Sequence, residues 1–187
     1  MKSSIFIALT GFSLIHYAAF GQDTNQVPPP TVLEGIEQCT GQIVVRGSAL
    51  IGSVEVDGAE VSVICKADVL PVTNRKEYGI AVQLRSSASG EDRTIIDFDE
   101  LESLLGSIDY LSSINWSVTP LASFDAAYVS KGGFRVSAFS SKRLASIQYS
   151  VRSSRMAKGI LLSPDQWGRF RSLIDQAKAR IEVLRKS

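Results

Sequence analysis

A repeat constrains this chain more than any single motif. Advancing the sequence by 66 residues lays Asp97 on Ser163, Leu101 on Trp167, Leu104 on Phe170 and Ile108 on Ile174. Advancing it by 67 lays Leu84-Arg85-Ser86-Ser87 on Val151-Arg152-Ser153-Ser154. Each copy runs through four strand-like stretches and then an amphipathic helix, and self-similarity at a fixed period marks a repeated supersecondary unit. A unit with one sheet and one apolar helix stripe cannot bury both alone, so two copies are expected to pack together. The expected fold is α+β: two tandem ββββα units, each an antiparallel sheet with a C-terminal amphipathic helix, joined in one compact body. The competing reading is two α+β halves of separate origin.

The first unit is placed at residues 41–118. Residues 49–56 and 59–67 are rich in Val and Ile, and Asp57-Gly58 between them signals a tight hairpin. Tyr78, Ile80, Val82 and Leu84 alternate on one face of a third strand, and residues 93–97 supply a fourth. Asp97 and Glu100 have capping-box spacing, and Leu101, Leu104, Leu105, Ile108 and Leu111 then form a helical stripe. The second unit, 119–187, has strands at 123–130, 134–140, 143–152 and 158–162, with Lys131-Gly132-Gly133 as a turn. Ser163-Pro164-Asp165-Gln166 is a more complete helix start, with a Ser cap, Pro in the first helical position and Gln in the box position. Ahead of both units, residues 22–40 read as a polar tether containing Pro28-Pro29-Pro30, then a short irregular or helical segment.

The first 21 residues combine Lys2, an apolar run over 5–20 and the small-x-small exit Ala19-Phe20-Gly21, which is the order of a secretory signal peptide. The apolar core is short and no basic cluster follows it, which favours a cleaved signal over an anchor. The mature protein is therefore expected to be exported, periplasmic or secreted, with no stable membrane span. Export permits Cys39 and Cys65 to form a disulfide closing a loop of about 25 residues, worth ~3 kcal/mol. The alternative is two buried thiols in separate places.

His16, the sole histidine, falls in the signal segment, which removes His-based triads, Cys-His pairs and His-ligated metals from consideration. The chain also lacks a Gly-x-Ser-x-Gly elbow, a phosphate-binding Gly-rich loop and a dinucleotide fingerprint. No catalytic residue, cofactor site or metal ligand is assigned. The acids Glu91, Asp92, Asp97, Asp99, Glu100 and Glu102 lack the spacing of a calcium loop and suit a helix start, where the macrodipole favours them.

The stretch Lys158-Gly159-Ile160-Leu161-Leu162-Ser163-Pro164-Asp165-Gln166-Trp167 leads a strand into a Pro-x-x-Trp helix start. It resembles the end of the repeat in the single-stranded-DNA-binding transcriptional coactivator family. Two such units in one chain are similar to the plant Whirly proteins. The resemblance covers both units in outline and is close only over residues 158–167. It implies a fold whose sheets bind single strands with basic and aromatic residues.

The formal net charge of +1 conceals two opposite halves. Residues 22–126 hold 6 Lys+Arg against 16 Asp+Glu, a net of −10, and residues 127–187 hold 13 against 3, a net of +10. In the basic half, Lys131, Arg135, Lys142, Arg143, Arg152 and Arg155, with Phe134, Phe139 and Tyr149 nearby, make a candidate polyanion-binding set. The alternative is that the acidic and basic units neutralise one another, because overall neutrality weakens long-range attraction to phosphate. The expected function is a non-enzymatic exported interaction protein with an unknown protein partner or self-association. The alternative is an extracytoplasmic binder of single-stranded nucleic acid or another polyanion through the second unit.

Overall fold

A computed structural model describes residues 31–88, 90–141 and 146–186. The signal segment, the proline run and Lys142 and Arg143 lie outside the described residues. The chain forms two four-stranded antiparallel sheets, each in simple sequential order. Sheet A contains β1 (Val45–Val56), β2 (Ala59–Leu70), β3 (Arg75–Ser86) and β4 (Gly90–Asp97). Sheet B contains β5 (Asp125–Val129), β6 (Arg135–Ser141), β7 (Ser146–Arg152) and β8 (Ile160–Leu162). Helix α1 (Val32–Glu37) precedes sheet A, α2 (Leu101–Ser113) follows it, and α3 (Pro164–Lys186) follows sheet B. The expected α+β order of two ββββα units is the order seen.

Local chemistry explains several joints. Val56 pairs with Ala59 across the Asp57-Gly58 turn, and Gly58 takes a φ of +68°, a conformation that disfavours any side chain. At the head of α3, the Ser163 amide donates to Gln166 Oε1 at 2.8 Å, and the Gln166 amide donates to Ser163 Oγ at 3.3 Å, a complete capping box. Gln166 also donates to the Glu55 carbonyl at 2.8 Å and so fixes α3 to β1. β1 and β2 extend beyond their expected ends because backbone pairing continues to Val45 and Val69, where side-chain alternation gives no signal.

The two helices are exchanged. α2, which follows sheet A in sequence, lies against β5 and β6, whereas α3, which follows sheet B, lies against β1, β2 and β3. The stripe on α3 (Trp167, Phe170, Ile174, Ala177 and Ile181) is buried, as is the α2 stripe, and both belong to one cluster with the inner faces of both sheets. Phe170 meets Phe134 of sheet B at 6.0 Å between ring centroids. One turn later Leu173 lies over Gly52 of β1, where an added Cβ would sit 2.8 Å from its Cδ2. Burial of each large side chain in such a stripe contributes roughly 1.5–3 kcal/mol, so each sheet depends on the other unit's helix.

The outer face of sheet A is closed by α1. Thr31 and Glu34 form the capping box of this helix. Asp97 was expected to cap α2; instead its carboxylate accepts from the amides of Val32 at 2.8 Å and Leu33 at 3.2 Å, at the head of α1. α2 begins from a 3-10 turn, Phe98–Glu100, that has no side-chain cap. Leu33 seats over Gly79, where a Cβ would lie 2.6 Å from its Cδ1.

The cysteine pairing is also corrected: both thiols are free, Cys39 exposed and Cys65 buried. Cys65 points into the core and reaches the Ala177 carbonyl of α3 at 3.5 Å, while Cys39 ends α1 on the opposite face of the sheet. Burial pushes the Cys65 thiol pKa up, away from the reactive thiolate. No helix among the described residues is long and apolar enough to cross a membrane.

Candidate anion-binding site

Among the described residues, no helix covers the outer face of sheet B. Strand alternation puts Val136 and Ala138 into the core and Arg135, Ser137 and Phe139 outward. Register then sets Arg152 directly opposite Arg135, Ser150 opposite Ser137, and Asp125 of β5 opposite Phe139. These side chains, with Ser123, Phe124, Ser140 and Gly159, border a groove of about 660 Å³.

Arg152 marks one end of the groove, and Phe139 lies toward the other, opposite Asp125. Arg135 donates to Asp125 at 2.9 Å. Arg152, half-buried, has no carboxylate within ion-pair distance among the described residues. Like charges placed directly across a sheet destabilise it, and a single carboxylate beside two guanidinium groups leaves a net charge of +1. The floor is formed by Ser137 and Ser150, whose hydroxyl oxygens lie 2.8 Å apart. One hydroxyl donates in that contact, so the other retains an unspent O–H. Gly159 keeps this floor open: a Cβ there would sit 3.3 Å from Ser150 Oγ.

The structure separates the sequence-predicted residues. Arg135, Arg152 and Phe139 come together in the groove. Lys131 sits in the β5–β6 turn, where its Nζ reaches Asp99 at 2.7 Å; that contact raises its pKa. Arg155 is exposed and lies 3.8 Å from Asp92. Phe134 and Tyr149 are corrected. Phe134 is fully buried against Phe170, and Tyr149 stacks on Trp167 at 4.9 Å, both on the inner face. Parity carries the reason: Phe134 adjoins Arg135 and Tyr149 is three residues from Arg152, so strand alternation sends them to the opposite side. The same rule identifies what residue-type reasoning passed over, namely Ser137 and Ser150, which share parity with the two arginines.

Besides Arg135–Asp125, four ion pairs among the described residues join the basic half to the acidic half: Lys131–Asp99, Arg155–Asp92, Arg171–Asp109 and Lys178–Glu102. Beneath α1, the buried Lys66 pairs with Glu37 and lies 3.6 Å from the fully buried Asp68. Desolvation lowers the Lys66 pKa, partly offset by Asp68. Arg93 reaches the other Glu37 oxygen at 2.8 Å.

Asp97, Asp99 and Glu100 do converge, with ligand oxygens within 4.8 Å of one another. Their oxygens are largely spent on structure. Asp97 accepts from α1, Asp99 from Lys131 Nζ, and Glu100 from the Lys131 amide at 2.7 Å. Burial raises the Glu100 pKa, and one of its oxygens has no partner. Compared with protein-family models, curated proteins and solved structures, the chain matches none.

Proposed function

We propose that this is an exported, non-enzymatic binding protein that receives an anionic group of its partner in the groove on sheet B. The observation that carries the reading is the cross-strand pair Arg135 and Arg152, of which Arg135 alone meets a carboxylate, that of Asp125 on β5. Folding gains nothing from opposing two guanidinium groups, whereas a bound carboxylate, sulfate or phosphate would accept from both. The hydroxyl floor supplies further donors at short range. Ion pairs to the acidic half engage Lys131, Arg155, Arg171 and Lys178, whereas Arg152 in the groove has none among the described residues.

A long single strand of nucleic acid is the less supported form of this reading. Non-specific strand binders present several rings on which successive bases stack. Here two rings, Phe124 and Phe139, line the groove, and Phe134 and Tyr149 face the core, which leaves a short platform for a run of bases.

The test is a salt titration of the mature protein against heparin and an oligo-dT at low ionic strength. Binding to at least one probe is expected, with at least a tenfold loss in Arg152→Ala. Absence of binding to both probes at low salt would sink the proposal.

A further inference from the structure

Resting on that reading, we infer that the groove takes an acidic oligosaccharide, one uronate at the arginine end and a sugar ring over Phe139. Three features of the groove select this chemistry among anions.

The first is charge. Two arginines and one aspartate leave a single uncompensated positive charge, which matches one carboxylate and not a run of phosphates. Asp125 inside the groove repels a dianion, yet it accepts well from the neutral hydroxyls that a sugar presents. The second is the hydroxyl content. The Ser137–Ser150 pair keeps one O–H to donate and lone pairs to accept with, a mixed set that a polyhydroxylated ligand can use, while the Ser140 hydroxyl is spent on the Phe124 backbone. The third is length. Arg152 lies opposite Arg135, four residues along β6 from Phe139, so the backbone positions of the unpaired cation and the ring are ~13 Å apart, while the Arg135 side chain spans toward Asp125 opposite Phe139. That span suits a short run of linked rings, and an aromatic face covers the apolar C–H face of a sugar as readily as it covers a base.

The experiment measures binding of a trisaccharide with a single terminal galacturonate, its methyl-esterified neutral form and an oligo-dT to the full mature chain by calorimetry, with NMR shifts as a second readout. The uronate trisaccharide is expected to bind with a shallow salt dependence, close to the release of one counterion. The neutral ester should bind at least tenfold more weakly. Arg152→Gln should lose at least tenfold and Phe139→Ala several-fold, each with an unchanged thermal midpoint that shows the fold is kept.

Tighter binding of oligo-dT with a steep salt slope would overturn the saccharide assignment while leaving the anion groove standing. Equal binding of acid and ester would overturn it as well. Equal affinity of Arg152→Gln and wild type for the uronate trisaccharide would move the site elsewhere. Failure of every anionic probe to bind would remove the proposed function itself.

Discussion

The outer faces of the two sheets make an instructive pair. They have the same strand order, but sheet A is built from strands of 12, 12, 12 and 8 residues and sheet B from strands of 5, 7, 7 and 3. The longer sheet carries α1 on its outer face, with Lys66, Asp68, Glu37 and Arg93 answering one another's charge beneath it. Among the described residues the shorter sheet has no such cover, and Arg152 meets no carboxylate. The contrast locates binding by elimination as well as by chemistry. A face whose charges are mutually satisfied has little to offer a ligand, whereas an opposed arginine pair gains from one.

The sharpest way to break the contrast is Lys66→Met. It would strand the fully buried Asp68 carboxylate, whose oxygens accept no hydrogen bond, without its cation. A loss of about 3–5 kcal/mol in chemical denaturation is expected, the cost of leaving a buried charge uncompensated. A loss under about 1 kcal/mol would show that sheet A is not held closed by this network.

Asp97→Ala comes next. It removes the acceptor for the Val32 and Leu33 amides and should cost about 1–2 kcal/mol, within the range for N-cap removal. Hydrogen exchange should quicken at the α1 amides and stay unchanged at β6 and β7. Uniform quickening would mean that Asp97 acts on the whole body instead of on α1.

A third measurement uses Glu100, whose pKa burial raises. The folded chain then holds this proton more tightly than the unfolded chain does. Its contribution to stability is full below the unfolded-state pKa and is lost as pH rises through the folded value. The loss amounts to about 1.4 kcal/mol for each unit of difference. Glu100→Gln should flatten that part of the stability–pH curve, read as thermal midpoint against pH, and an unchanged curve would refute the assignment.

The smallest expected effect is on sheet B. Arg152→Ala should alter stability by no more than about 0.5 kcal/mol, since it removes a surface side chain facing a like charge. A substantial destabilisation would make Arg152 a structural residue and erase the difference between the two faces.

Much of the fold was legible where the determinant is local. Asp57-Gly58 specifies its turn, Ser163 and Gln166 specify the start of α3, and the leucine stripe of α2 specifies a buried face. The determinants that escaped are tertiary. Asp97 sits at a position that resembles a cap for the next helix, but nothing adjacent in sequence records that α1 arrives to use its oxygens first. Nor does an apolar stripe state which sheet it will meet, so the exchange of α2 and α3 leaves no trace in periodicity. The groove was half legible. Residue type pointed to Arg135, Arg152 and Phe139, and attention to strand parity would have excluded Phe134 and Tyr149 and added Ser137 and Ser150.

The exchange of helices also sets an order of events during synthesis. Sheet A is made first, but α3, which covers the Gly52 side of its inner face, is the last element to be made. Until then Val54, Val61, Val63 and Val82 lack the cover of α3, although β5 and β6, on which α2 rests, are already made. A nascent chain halted before residue 164 would hold an open apolar sheet, a natural handle for a chaperone and a hazard without one.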